Sequence, residues 1–224
     1  MPNIHPTAQI HPSASIHPTA KIGVGVTIGE LTVVGADTII GERVILGANT
    51  TIGARTIIGE YHQVDTSAIF TIDQKGASVV IKAGTTIGSD TKIVDMVAIL
   101  ENSIIGKRVS IGKRVIMAPN TKIGDDTKIS NCVAFTLDVQ IGKNTYIGTN
   151  VRFNPGVRVG DNTYIGDNVR FFGSGKVGNG VKIHQGSLLG DGVEVADNSQ
   201  IEAYTDLIDY NGVIYSEITR YPTL

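Results

Sequence analysis

The chain is poor in several features that define common protein classes. Over 224 residues it has no tryptophan, one cysteine and only 5% aromatic residues. The single cysteine, Cys132, excludes an internal disulfide framework and fits a reducing cytosol. No stretch approaches the ~20 consecutive apolar residues of a transmembrane helix. The first residues, MPNIHPTAQIHP, lack the basic head and apolar run of a signal peptide. We therefore expect a cytoplasmic protein without membrane insertion.

Neither sign of charge dominates, because 19 Lys and Arg nearly balance 21 Asp and Glu and leave a formal net charge of −2. That total gives no indication of nucleic acid as a partner. The charges are nevertheless distributed unevenly along the chain. Residues 105–182 contain 12 Lys and Arg against 5 Asp and Glu, whereas the rest of the chain contains 7 against 16. A basic region within an otherwise acidic chain is therefore expected.

Glycine, in contrast, is abundant and recurs with a fixed period. In frames of six residues that start at Ile4 and run to Phe70, and again from Ile81 to Ile201, all 33 first positions are apolar. The fifth position is Ala, Ser, Thr or Val in 30 of these hexads, and the second is Gly in 17. From Phe70 to Ile81 is one residue short of two hexads, so the frame predicts a slip of one residue and no inserted loop. A period of this kind predicts a solenoid of repeats.

Each preference in the hexad has a physical cause. Strand alternation points the first and fifth positions to the same side, and we expect that side to be the interior. Gly, Asn and Asp tolerate the left-handed backbone that a tight corner requires, and the fourth position is often one of them, as in Asn49, Asp90 and Asn144. Short strands joined by such corners stack into a parallel β-helix. The fold class that we predict is therefore all-β.

The hexads resemble those of the hexapeptide-repeat family, over residues 4 to about 206. This resemblance implies a left-handed parallel β-helix in which three hexads make one triangular coil, giving about eleven coils. Every third hexad then stacks, so we expect the side chains of Met117, Phe135, Phe153 and Phe171 to form one buried ladder. We assign residues 1–206 to the β-helix and 207–224 to a C-terminal cap, in which Asn211-Gly212 predicts a short hairpin.

The same resemblance implies a function. Most enzymes of the family are homotrimeric acyltransferases that move an acyl group from coenzyme A or acyl carrier protein to a sugar hydroxyl or amine, with a histidine as general base. The segment DQKGASVVI distantly resembles the one that contacts the nucleotide-sugar in UDP-N-acetylglucosamine O-acyltransferases of lipid A synthesis. There an aspartate and a glutamine precede Lys-Gly, as Asp73 and Gln74 do here. Those enzymes place their catalytic histidine well beyond this segment, whereas this chain has no histidine between 63 and 183.

His62 is therefore the candidate catalytic base. It occupies a fifth position, where the repeat otherwise has a small residue, and an imidazole buried there without partners would cost a few kcal/mol. It is either a hydrogen-bonded structural group or a side chain offered to a groove between subunits. Asp65 lies close enough in sequence to orient it or to hold substrate, and we assign Asp65, Asp73 and Gln74 to the binding of the acceptor.

The remaining histidines have simpler interpretations. His5, His11 and His17 follow one another in three successive hexads, so they point away from each other and are expected to cap the first coil. His184 is expected at a solvated corner. The zinc-binding histidine pattern of the γ-class carbonic anhydrases is absent, so we expect no metal site.

The basic region supplies candidates for binding the phosphates of the donor, with no cofactor bound besides the acyl-CoA or acyl carrier protein that acts as co-substrate. These candidates are Lys107, Arg108, Lys113, Arg114, Arg152 and Arg170. The alternative is a solvated face, or a contact between basic and acidic coils in a trimer.

The function predicted from these features is an acyltransferase that acts on an amino sugar or nucleotide-sugar. A non-catalytic β-helix that serves as a scaffold, or a degenerate relative that only binds ligand, stays open as the alternative.

Overall fold

A computed structural model describes residues 3–59, 79–210 and 213–218, with side chains up to Leu207. The described residues form short β-strands and no helix, and we number the strands β1 to β33 in chain order. Successive strands lie on three successive faces of a triangular coil, which we call faces A, B and C, and the corners are named by the faces that they join.

Face A is an 11-stranded sheet of β1 (Asn3–Ile4), β4 (Lys21–Ile22), β7 (Ile39–Ile40), β10 (Ile57–Ile58), β13 (Lys92–Ile93), β16 (Ser110–Ile111), β19 (Lys128–Ile129), β22 (Tyr146–Ile147), β25 (Tyr164–Ile165), β28 (Lys182–Ile183) and β31 (Gln200–Ile201). Face B is a 12-stranded sheet of β2 (Gln9–Ile10), β5 (Thr27–Ile28), β8 (Val44–Leu46), β11 (Val79–Ile81), β14 (Val97–Ile99), β17 (Ile116–Met117), β20 (Ala134–Phe135), β23 (Arg152–Phe153), β26 (Arg170–Phe171), β29 (Leu188–Leu189), β32 (Thr205–Tyr210) and β33 (Val213–Ile218). Face C is a 10-stranded sheet of β3 (Ser15–Ile16), β6 (Val33–Val34), β9 (Thr51–Ile52), β12 (Thr86–Ile87), β15 (Ile104–Ile105), β18 (Lys122–Ile123), β21 (Gln140–Ile141), β24 (Arg158–Val159), β27 (Lys176–Val177) and β30 (Glu194–Val195).

The fold is a left-handed parallel β-helix of about ten coils. Each strand from β4 to β32 pairs in parallel with the strand three before it in the chain, as Ile40 on β7 does with Ile22 on β4. The predicted hairpin is confirmed, because β32 pairs in parallel with β29 and antiparallel with β33. The predicted fold class is therefore correct, although the coils number about ten and not about eleven, because Ile57 pairs directly with Lys92 without a coil between them.

The prediction that no loop is inserted is wrong. Arg55 and Asp90, which stack on neighbouring coils, are 35 positions apart, whereas Arg108 and Asp126 stack at a separation of 18. The same separation of 35 positions is found between the register partners Ile45 on β8 and Val80 on β11, and between Ile57 on β10 and Lys92 on β13. The chain between β10 and β11 is therefore almost one full coil longer than stacking needs. The pairing of the described strands therefore contradicts the prediction of a slip of one residue without an insertion.

The interior is filled by the first and fifth positions of the hexads, as predicted. The side chains of Phe135, Phe153 and Phe171 are fully buried, and their rings stack with centroids 4.9 and 4.8 Å apart. Met117 is buried below Phe135 in the same register. The predicted ladder is confirmed, and it gives four successive coils of face B a continuous buried spine of large side chains.

At the corners, side-chain hydroxyls donate hydrogen bonds to backbone carbonyl groups that stacking would otherwise bury without a partner. Inward-facing threonines at the fifth position donate to the carbonyl of the glycine at the second position of the next coil, as Thr38 does to Gly53 (3.0 Å) and Thr127 to Gly142 (3.0 Å). Asn49, Asp90 and Asn144 at the fourth position adopt φ of 55°, 62° and 50°. A left-handed corner therefore explains the preference that the sequence shows there.

The first coil has a repeated cap. The Nδ1 atom of His5 lies 2.9 Å from the hydroxyl of Thr7, which in turn accepts a hydrogen bond from the backbone N–H of Gly25 in the second coil (2.9 Å). His11 and His17 make the equivalent contacts to Ser13 and Thr19. These contacts agree with the capping role expected for the three histidines.

Candidate functional site

The candidate catalytic base and acceptor residues lie in the sequence between β10 and β11. His62, Asp65, Asp73 and Gln74 fall within 60–78 and so lie outside the described residues. The ends of that segment are fixed: it follows Gly59, with φ of 76°, after strand β10 of face A, and it leads into Val79 on face B. The described chain thus ends at a face A strand and resumes at a face B strand, and the roles of the four residues stay predictions.

The six basic residues assigned to the donor are distributed around the molecule. Lys107 and Arg108 lie at a corner between faces C and A, and Lys113 and Arg114 lie at the next corner, between faces A and B. Arg152 and Arg170 lie on face B, three and four coils above Val97–Ile99 respectively. The basic region is therefore a set of three patches and not one continuous belt.

Arg108 is occupied by a partner in its own chain. Its guanidinium donates two hydrogen bonds to the carboxylate of Asp126, one coil further on, with N–O distances of 2.6 and 2.7 Å. These hydrogen bonds and the charge of Arg108 lower the pKa of the Asp126 carboxyl, although its burial opposes the shift. Arg55 and Asp90 form the equivalent bidentate pair along the same corner. Arginine and aspartate thus alternate there, which leaves Arg108 less suited to a ligand.

Lys107 and Lys113 are held at their corners by backbone contacts. The backbone N–H of Lys107 donates to Asp125 Oδ1 (2.9 Å), and that of Lys113 donates to Asn131 Oδ1 (2.8 Å). Both side chains are exposed, as is that of Arg114. These three cations point to solvent around the lower coils of the basic region.

Arg152 and Arg170 form the most unusual basic patch. They occupy the same outward position on β23 and β26 and are direct register partners, so their Cα atoms stack about 4.8 Å apart. Both are exposed, and no ion pair to either occurs among the described residues. Like charges opposite each other in a sheet are unfavourable unless an anion joins them. The pair is therefore a candidate site for a phosphate or carboxylate group.

Two tyrosine side chains stack on the outside of face A and contact neighbouring side chains of the same chain. The rings of Tyr146 and Tyr164 stack with centroids 5.1 Å apart, as the sequence predicts. Lys128 Nζ lies 5.8 Å from the centroid of Tyr146, and the ring of His184 lies 6.4 Å from that of Tyr164. The stacking of the two tyrosines therefore contributes to the stability of this face.

A polar pocket of about 270 Å³ lies near the corner between faces A and B in the last coils. Its walls include Asn168, Arg170, Tyr204 and Asp206. Tyr204 occupies a fourth position, with φ of 59°, where the repeat usually has Gly, Asn or Asp. Sequence reasoning did not single out this pocket. An aromatic residue at a left-handed corner was the signal that could have found it.

A second, mainly apolar groove of about 340 Å³ lies at the opposite end of the molecule. It runs along face A of the first coils, and Ile4, Lys21, Val24 and Ile39 are among its lining residues. Its glycine floor reflects close coil stacking: a Cβ atom on Gly23 would lie 2.7 Å from the carbonyl oxygen of Gly41.

Two features of other protein classes do not occur in the part of the chain that the structure describes. No group of three or more His, Cys, Asp or Glu side chains is arranged to hold a metal ion there. Among the same residues, no helix has the length and apolar character needed to cross a membrane.

Comparison with known families agrees with the repeat geometry. The model described as bacterial transferase hexapeptide (six repeats) matches residues 102–136 and 138–173, and the hexapeptide repeat of succinyl-transferase matches residues 37–60. The chain is therefore similar to the hexapeptide-repeat family over residues 37–60, 102–136 and 138–173. A comparison with curated protein sequences finds no match.

Several solved structures resemble the chain. The UDP-N-acetylglucosamine acyltransferase of Francisella novicida has 18% sequence identity and a TM-score of 0.53, over 95% of this chain and 69% of that one. The enzyme of Moraxella catarrhalis has 21% identity and a TM-score of 0.47, over 96% and 74%. The Arabidopsis enzyme has 16% identity and a TM-score of 0.37, over 95% and 73%. At this level of identity the Francisella structure supports the β-helix fold.

Proposed function

We propose that this hexapeptide-repeat protein is a cytoplasmic homotrimeric acyltransferase. It moves an acyl group from acyl-CoA or acyl carrier protein to an amino sugar or nucleotide-sugar, and it needs no bound metal or further cofactor. The observation that carries the proposal is the long step between paired positions on faces A and B, from Ile57 to Lys92 and from Ile45 to Val80. This step gives the segment with His62, Asp73 and Gln74 almost one coil more chain than stacking requires, in a family whose models are those of transferases.

The chemistry proposed for this segment is general base catalysis. His62 removes the proton from the acceptor hydroxyl or amine as that group attacks the thioester carbonyl, because imidazole exchanges protons near neutral pH. Asp65, Asp73 and Gln74 hold the acceptor. A backbone N–H at one of the glycine corners stabilises the negative charge on the carbonyl oxygen of the tetrahedral intermediate. When this intermediate collapses, the thiolate leaves and takes up a proton.

The donor is proposed to bind through its phosphates. Exposed cations from the three basic patches supply the charge, and Arg152 and Arg170 are the best placed of them, since their side chains are exposed, stacked and without an ion pair among the described residues. Arginine recognises phosphate through paired N–H donors. Arg108 contributes less, because Asp126 already accepts two of its hydrogen bonds.

The proposal is tested by thermal shift and by transfer. A donor at 100 times its dissociation constant stabilises a folded protein by about 2.7 kcal/mol, which a shift in melting temperature reports. We expect acetyl-CoA or a longer acyl-CoA, or acyl carrier protein, to raise the melting temperature, and mass spectrometry to detect acylated UDP-N-acetylglucosamine or a free amino sugar that has been acylated. If no donor shifts the melting temperature and no acceptor is acylated, the proposal fails.

A scaffold function is the second candidate, and specific contacts favour it. Part of the basic region is already engaged within the chain, as Arg108 with Asp126 and Lys128 with Tyr146 show. A scaffold protein would assemble with other proteins through its regular faces and would show no thermal shift with any acyl donor. The same experiment therefore separates the two functions.

A further inference from the structure

We propose that the histidine cap of the first coil is a pH-sensitive device, which fastens the corners of the first coil to the second only while its imidazoles are neutral. The cap has one imidazole and one hydroxyl at each corner of the triangular coil, and its members are His5 with Thr7, His11 with Ser13, and His17 with Thr19. The same arrangement therefore occurs at all three corners. The inference goes beyond the proposed acyl transfer and does not depend on it.

The corners between the first two coils are joined differently from those above. In the third coil, the backbone N–H at the fourth position of the hexad donates to a backbone carbonyl of the coil below, as that of Asn49 does to Glu30 (2.8 Å). In the second coil, the N–H at this position donates instead to a hydroxyl of the first coil, as that of Gly25 does to Thr7 Oγ1 (2.9 Å). The other two bonds of this kind run from Leu31 to Ser13 and from Asp37 to Thr19, at 3.0 and 2.8 Å.

Each hydroxyl is held by an imidazole nitrogen that carries no proton. The backbone N–H of Thr7 donates to His5 Nδ1 (3.3 Å), so this nitrogen is an acceptor. The Thr7 hydroxyl lies 2.9 Å from the same nitrogen, and because its oxygen already accepts from Gly25, its own hydrogen is the one directed to Nδ1. His11 and His17 accept from the next corner residues in the same way, each at 3.3 Å. The cap therefore requires the neutral imidazole with its proton on Nε2.

A proton on Nδ1 turns this acceptor into a donor, and both hydrogen bonds to it are lost. Because the closed cap binds fewer protons than the open one, its contribution is present at neutral pH and is lost as the pH falls through the range in which imidazole side chains titrate, about pH 5 to 8. The strand bonds between the coils, such as that from the His5 N–H to the Ile22 carbonyl (3.0 Å), do not use the imidazole. We therefore expect the corners to open while the strands stay paired.

The charges around the cap come from the coils above it, since residues 3–20 contain no Asp, Glu, Lys or Arg. The charged groups nearest to the three corners are Lys21 on face A beside His5, Glu42 and Arg43 above the A–B corner, Glu30 above the B–C corner, and Asp37 and Arg55 above the C–A corner. A carboxylate attracts an imidazolium, but a protonated Nδ1 cannot accept a hydrogen bond whatever its neighbours are. These charges therefore do not restore the cap.

The experiment measures amide hydrogen exchange in the whole protein at about pH 7.5 and about pH 5, on either side of the imidazole range. Each rate is divided by that of an unstructured peptide at the same pH. We expect the protection of the Gly25, Leu31 and Asp37 amides to fall about tenfold at the lower pH, because the hydroxyls that accept from them are no longer held. The matched controls are the amides of the next coil at the same three corners, which donate to backbone carbonyls and should keep their protection: Arg43, Asn49 and Arg55.

Variants separate the titration from the structure of the cap. Asparagine places an oxygen acceptor close to the position of Nδ1 and does not titrate. A protein with His5→Asn, His11→Asn and His17→Asn should therefore protect the three amides equally at both pH values. Thr7→Val should expose the Gly25 amide at both, and His184→Asn, outside the cap, should keep the pH dependence of the parent protein. Circular dichroism establishes that each variant is folded, and NMR of the parent protein at about pH 7.5 should find the imidazole proton of the cap on Nε2.

The inference is overturned if the protection of the three amides does not change with pH. An equal loss at the control amides of the next coil would also overturn it, because the change would then be a general effect of acid. So would a pH dependence that persists without the three histidines, or a proton on Nδ1 at neutral pH. None of these measurements involves an acyl donor, so their failure and that of the proposed function are distinguishable.

Discussion

Replacing Phe171 by Ala is a severe test of the stacked core. Its side chain is 2% exposed, its ring stacks on that of Phe153 at 4.8 Å, and its register partner above is Leu189. Truncating a buried phenylalanine costs about 3–5 kcal/mol through lost transfer energy and the cavity that remains. The stacked neighbour accounts for about 0.5–1.5 kcal/mol that area alone would not give. We therefore expect the free energy of unfolding to fall by about 4 kcal/mol.

The neighbouring residue supplies the matched control. Phe172 is 43% exposed at the next corner, so Phe172→Ala should change the free energy of unfolding by less than about 0.5 kcal/mol. Urea unfolding followed by far-ultraviolet circular dichroism measures both variants. In a solenoid each coil contacts only its neighbours, so hydrogen exchange should accelerate first in the coils beside Phe171. Equal losses in the two variants would refute the assignment of inward and outward positions.

Three further predictions concern corners, the ion-pair ladder and coil stacking. Leu31→Gly should raise the free energy of unfolding by about 1 kcal/mol, because Leu31 is exposed with φ of 53°, where a side chain is strained; a lower urea midpoint would contradict this. Because its folded-state pKa is lowered, Asp126 contributes stability above its unfolded pKa, and this is lost as the pH falls through the folded value. Arg108→Gln should therefore raise the midpoint of the Asp126 carboxyl in an NMR titration, and an unchanged midpoint would rule out the pair. Gly23→Val should lower the thermal midpoint, since its Cβ would meet the Gly41 carbonyl oxygen at 2.7 Å; an unchanged midpoint would show that the coils can separate.

Most of the β-helix could be predicted from the sequence because burial, side-chain size or backbone conformation restricts the residue types at each of these hexad positions. The aliphatic first position, the small fifth position and the left-handed fourth position recur regularly, and the resemblance to the hexapeptide-repeat family implies that every third hexad stacks. With that implication, the stacking of Phe153 on Phe135, and of Tyr164 on Tyr146, was predictable from their spacing.

The insertion was not predictable, because its sequence imitates the repeat. Val64 and Phe70 are apolar at the expected interval, so the hexad frame continues past β10 in the sequence. The strand pairing reveals the difference, as between Ile45 and Val80 and between Ile57 and Lys92. Strand partners depend on contacts between distant residues, which a local six-residue pattern does not report.

The contacts of the basic side chains likewise could not be predicted from the local sequence pattern. The number of cations can be counted from the sequence, and spacing predicts the stacking of Arg152 on Arg170. Which cation is neutralised depends on the residue one coil away: Arg108 meets Asp126, whereas Arg152 and Arg170 meet each other. Only the register of the coils distinguishes a structural ion pair from a cation that is available to a ligand.

The measurement that tests the proposed function most directly is the rate of acyl transfer in two histidine variants. With the donor and acceptor that the parent protein uses, His62→Ala should lower kcat by about 10²–10⁴-fold, because a general base contributes that much. His184→Ala should keep the parent rate, since His184 packs against Tyr164 at a corner. Transfer by His62→Ala at the parent rate, or no transfer by the parent protein with any donor, would contradict the assignment of His62 as the catalytic base of an acyltransferase.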